Sequence, residues 1–170
     1  IGSVYINKDY EPYAKQRDKE VHELLEKSNI RLEVFKDQVI FEEHEIVKND
    51  GLPYSVYTPY KNKWLDNFKL PQKAPLFNST NFYPCQFDFP TLEELGFQTS
   101  TIKVKDFDLN VVDAYEQSRD IPSLDATSYL SPHLRFGTVS IRQIILALKG
   151  NHGIFLNELI WREFFMQILF

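Results

Sequence analysis

The chain has 170 residues, 43% apolar and 25% charged, with a formal charge of −5, a balance that excludes disorder and is enough for a sizeable core. Its single cysteine, Cys85, excludes an intrachain disulfide and a multi-cysteine zinc site, so no metal is expected. No stretch approaches the ~20 apolar residues of a membrane span and no secretory opening is present, which predicts a cytoplasmic protein without membrane contact.

In chain order, Ser3 to Asn7 reads as a buried strand. "YAKQRDKEVHELLEKSN" follows as a surface helix with Val21, Leu24 and Leu25 at helical spacing, ended by Asn29. "IRLEVFKDQVIF" then alternates again, so strand, helix and strand form a parallel α/β layer. Thr58 before Pro59 has the pattern of an N-cap followed by proline at the first helical position, predicting a helix to about Phe68. From Leu70 to Asp108 the periodicity dissolves among Pro71, Pro75, Pro84 and Pro90, as expected of a connection lying on a surface.

The remainder reads as helical. "LNVVDAYEQSRDIP" is a helix stopped by Pro122, and Ser131-Pro132 repeats the cap-then-proline pattern. Ser140 with Gln143 forms a capping box, and Gly150 stops "IRQIILALK". The chain opens without Met and closes on "LIWREFFMQILF" without a stop signal, and it is read as the middle of a longer protein.

Residues 1–118 carry 14 basic and 20 acidic side chains and residues 119–170 carry 5 and 4, so net charge does not exclude an anionic partner for the second half. There, "DATSYLSPHLRFGTVSIRQ" sets Thr127, Ser128, Ser131, Thr138 and Ser140 around two helix starts. Free N–H groups and hydroxyls so grouped suit a phosphate or pyrophosphate; the alternative is that each hydroxyl only caps its own helix. In the last helix, Asn157, Glu158, Trp161, Arg162 and Phe165 share one face. Buried against protein, that face calls for an ion pair between Glu158 and Arg162; otherwise it forms the wall of a pocket for a flat polar ligand.

"YEQSRDIPSLDATSYLSPHLRFGTVSIRQ" followed by "LNELIWREFF" resembles the flavin-binding region of the DNA photolyase and cryptochrome family, and "VYINKDYEPYAKQRD" and "YSVYTPYKNKWL" resemble its antenna domain. The resemblance runs across nearly the whole chain. It implies α/β followed by all-α: part of a Rossmann-like antenna domain over 1–70, a linker over 71–108, and the start of a helical FAD-binding domain over 109–170. It further implies light-dependent repair of cyclobutane pyrimidine dimers by electron transfer from reduced FAD, with a cryptochrome-type photoreceptor as the alternative.

By the same resemblance, Tyr115, Thr127, Ser128, Tyr129, Leu130, Ser131 and Phe155 contact FAD. Arg119 meets the DNA backbone, Glu158 and Trp161 meet the damaged pyrimidines as catalytic residues, and Arg162 lies near the lesion or its phosphates. The implied partner is DNA containing pyrimidine dimers, bound by a full-length monomer. Folate-binding members carry Asn-Glu where this chain has Tyr13 and Ala14. A folate antenna is therefore not expected, and a second chromophore of another kind stays open.

Overall fold

The computed structural model describes residues 1–71, 79–84, 88–148 and 153–168. Pro75, Cys85 and the predicted helix stop at Gly150 lie outside the described residues.

Strand β1 (Ser3–Asn7) runs parallel to β2 (Arg31–Phe35), with Ser3 opposite Arg31 and Asn7 opposite Phe35. Helix α1 (Pro12–Lys27) connects them, as the alternation and the 3.6-residue period predict. Pro12 starts α1 because its missing N–H falls among donors that no helix satisfies. Asn29, at φ 54°, ends it: the N–H of Asn29 donates to the Glu26 carbonyl and that of Ile30 to the Leu25 carbonyl, the paired bonds of a Schellman stop. Strand β1 is not buried as predicted. Tyr5 is 68% exposed and stacks on Phe35 at 5.9 Å, because among the described residues the sheet has two strands and no layer on that face.

Helix α2 (Tyr57–Asn67) starts one residue before the predicted cap, with Val56 at the N-cap and no side-chain bond from Thr58. Thr58 and Pro59 instead occupy the first turn, where proline forfeits no intrahelical hydrogen bond. From Asp88 to Asp108 the chain is exposed, without helix or strand. The helix predicted from Leu109 to Ile121 is shorter and tighter: a 3₁₀ turn (Asn110–Ala114) runs into one α-turn, α3 (Tyr115–Ser118). The Ser118 hydroxyl donates back to the Ala114 carbonyl at 2.9 Å, a competing bond that disfavours extension.

Helices α4 (Leu130–Arg135), α5 (Ile141–Ala147) and α6 (Gly153–Ile168) follow. The capping box at Ser140 forms as predicted. Ser131-Pro132 does not cap α4; the N-cap is Tyr129, in the left-handed region at φ 53°. The core joins both halves of the chain: Tyr60 and Trp64 of α2 and Ile46 pack with Ile144, Ile160 and Phe164, and the crossing of α2 against α6 fixes where α6 presents its polar face.

Candidate functional site

A cavity of about 860 Å³ opens where the helical half meets the end of the α/β layer. One wall is α6, with Phe155, Glu158, Leu159 and Arg162. A second is α3 with Tyr115 and Arg119. The third runs through Thr127 and Ser128 into Leu130, Ser131 and Leu134 of α4, and the α/β half contributes Asp9, Tyr10, Glu11 and Gln38 at one end. Nine of the residues singled out in the sequence line this one space: Tyr115, Arg119, Thr127, Ser128, Leu130, Ser131, Phe155, Glu158 and Arg162.

The hydroxyls divide by role. Ser140 accepts from the Arg142 N–H at 3.2 Å and caps α5, and Thr138 pairs with His133 Nδ1 at 2.9 Å. Thr127, Ser128 and Ser131 cap no helix and border the cavity. Helix dipoles add little, since α4 and α5 have six and seven residues and the start of α5 lies away from the cavity. Neutral hydroxyls and the guanidinium groups are the donors available to an anion.

Of the two readings of that face, the pocket wall holds for Glu158, which pairs with Arg119 and not with Arg162: the Arg119 Nη1 donates to Glu158 Oε1 at 2.6 Å. The physical reason is reach. Arg162 is half-buried and spends its Nη1 on the Gln38 carbonyl at 2.7 Å, whereas Arg119 projects from the facing wall. Arg119 also lies over the Tyr115 ring, Cζ 5.4 Å from its centre, and Tyr115 meets Phe155 edge-on at 5.1 Å. Burial, with the Glu158 charge adding to it, raises the Tyr115 phenol above its ordinary value. At the other end Arg135 bridges to Glu11 at 3.2 Å.

Two expected residues do not border the cavity. Tyr129, turned by its left-handed backbone, accepts from the Lys105 ammonium at 2.6 Å and donates to Asp125. Trp161 stacks face to face on Tyr57 at 3.5 Å and 9°, with the Phe165 ring 5.4 Å away. The backbone carbonyl of Asn157 accepts from the Tyr57 hydroxyl at 2.9 Å. The polar face read from the last helix is thus two faces, one at the cavity and one against α2.

The sequence reading missed Glu163, a 2%-exposed carboxylate. A charged residue between Ile160, Phe164 and Gln167, all buried, was the available signal, since a carboxylate on an apolar stripe must be paired. Among the described residues no group of three or more His, Cys, Asp or Glu side chains is arranged to hold a metal, and no helix is long and apolar enough to cross a membrane.

The fold is similar to that of solved photolyases. A class III photolyase from Agrobacterium tumefaciens superposes with a TM-score of 0.75 at 27% identity, covering 100% of this chain and 41% of that one. A Sulfolobus tokodaii photolyase with two FAD molecules superposes at 0.67 and 22% identity, covering 98% and 38%. The DNA photolyase family model matches residues 1–77. The deoxyribodipyrimidine photo-lyase of Halobacterium salinarum is 34% identical over 98% of the chain. The chain spans 41% of the length of that relative.

Proposed function

We propose that this chain serves light-dependent repair of cyclobutane pyrimidine dimers in DNA, with FAD as the cofactor. The observation that carries the reading is the convergence of nine family-matched residues on one cavity. Its size lies within the 300–1,000 Å³ range of small-molecule and cofactor sites, and its donor set of hydroxyls and guanidinium groups fits a flavin carrying a pyrophosphate. Bound there, FAD supplies the light-driven electron chemistry.

Thr127, Ser128 and Ser131 donate to the phosphates. Tyr115, Leu130 and Phe155 supply apolar and aromatic surface to the ring systems, and Tyr129 acts from outside, setting the turn into α4. Glu158 accepts hydrogen bonds from the flipped pyrimidines and Arg119 exchanges its Glu158 partner for a DNA phosphate, so that lesion entry frees the carboxylate. Arg162 lines the lesion end with part of its guanidinium, and Trp161 acts from the neighbouring face by holding α6 against α2. Residues 1–70 act as the antenna side, 71–108 as linker and 109–170 as the flavin side, in a monomer. A second chromophore on the antenna side is not expected to be a folate held at Tyr13 and Ala14, since a phenol and a methyl stand where folate-binding members carry an amide and a carboxylate.

The test is the full-length protein, purified with its flavin, reduced, and incubated with an oligonucleotide carrying one thymine dimer. Loss of the dimer under blue or near-ultraviolet light and not in darkness is the expected result. A flavin-loaded protein that leaves the dimer intact refutes repair and favours the photoreceptor alternative.

A further inference from the structure

The segment from Asp37 to Glu42 follows β2 without a strand partner among the described residues, and side chains of the helical half bond its backbone instead. Arg142 donates to the carbonyls of Asp37 at 2.8 Å and Val39 at 3.0 Å. Arg162 donates to that of Gln38 at 2.7 Å, and Gln167 to that of Glu42 at 3.2 Å. Glu163 does the converse, accepting the N–H of Ile40 at 2.7 Å and of Phe41 at 3.0 Å.

Glu163 also accepts the Trp64 indole N–H at 2.7 Å and the Tyr60 hydroxyl at 3.5 Å. Three of the four groups around it, the two backbone N–H groups and the indole, can only donate, and they favour an ionised carboxylate against the burial that raises its pKa. One side chain of α6 is therefore tied to the segment after β2 and to α2 together. On a helix turning about 100° per residue, Glu163 lies about 100° from Arg162 and about 140° from Glu158. A tie at Glu163 thus sets the rotation of α6 that directs those two toward the cavity.

We infer that Glu163 is a positioning residue for the lesion end of the cavity, acting through Glu158 by fixing the rotation of α6. This rests on the function proposed above for the cavity. If Glu163 served the fold alone, its removal would lower stability and leave the ratio of affinities for damaged and intact DNA unchanged. If it positions Glu158, its removal should matter to that ratio only while Glu158 is present.

The experiment uses the full-length protein and the variants Glu163→Gln, Glu158→Ala and the double variant. For each, affinities are measured for an oligonucleotide with one thymine dimer and for its intact counterpart, together with hydrogen exchange of the backbone over 37–42. Glu163→Gln keeps the size but puts an amide N–H₂ where N–H donors face it. Its expected effects are an about tenfold loss of discrimination, no further loss in the Glu158→Ala background, and an about tenfold or greater loss of protection at Ile40 and Phe41. Equal losses in both backgrounds, or unchanged discrimination, overturn the inference. Should Glu163→Gln not fold, Trp64→Phe removes one of the four donors; the same dependence on Glu158, at about threefold, is then required. Absence of dimer preference in the unsubstituted protein refutes the proposed function, while unchanged protection at Ile40 and Phe41 refutes the anchor itself.

Discussion

Trp161→Ala separates a ligand-facing indole from one engaged with protein. Trp161 is half-buried, stacked on Tyr57 at 3.5 Å, edge-on to Phe164 at 5.6 Å and stacked on Phe165 at 5.4 Å. A fully buried aromatic truncated to alanine costs ~3–5 kcal/mol; half-burial takes about half of that, and the close stack on Tyr57 adds ~0.5–1.5 kcal/mol. The expected loss is therefore about 2–4 kcal/mol in denaturant unfolding of the full-length protein, and about half as much for Trp161→Phe, which keeps a ring for the stack. Any loss of dimer preference should come together with that loss of stability, since Trp161 reaches the cavity only by bracing α6. A variant with unchanged midpoint and flavin content, but a selective loss of dimer binding, would show that the indole faces the ligand and would refute this reasoning.

Ser140→Ala should cost ~0.5–2 kcal/mol by removing the reciprocal cap of α5, read as a shift of the denaturation midpoint, with flavin content unchanged because Ser140 lies outside the main cavity. Burial, with the Glu158 charge adding, pushes the Tyr57 phenol up to about 12, against ~10 in the unfolded chain. Between about pH 10 and 12 the unfolded chain has released this proton and the folded one has not, so stability falls as pH rises through that window. Tyr57→Phe should flatten part of the decline between unfolding curves at pH 9 and 11.5.

Local signals were legible where the physics was local. The β1–α1–β2 unit, the left-handed stop at Asn29 and the Ser140–Gln143 box each depend on a few adjacent residues, and each formed. Thr58-Pro59 and Ser131-Pro132 misled because proline is tolerated throughout the first helical turn, so a cap-then-proline pattern and a helix starting one residue earlier look alike in sequence. The cavity was legible as a set of residues but not as a shape. Glu163 bonds Ile40 across 123 positions and Arg119 bonds Glu158 across 39. Spacing within a single helix offered a Glu158–Arg162 pair as one reading and could not foresee a partner from a facing wall.

The shared core of α2 with α5 and α6 bears on how such a protein could be re-engineered in modules. Tyr60 and Trp64 precede the exposed connection by sequence yet belong mechanically to the helices after it. A chimera joined near residue 70, where the sequence loses its periodicity, would tear α2 from its partners and strand two large aromatic side chains at a foreign seam. A junction within the irregular stretch between Glu43 and Val56 would carry α2 along with the cavity it braces. It would still have to preserve Asp37 to Glu42 on the other side of the seam, where the peptide groups bond side chains of α5 and α6 and where Val39 is buried and Phe41 packs edge-on against Trp64.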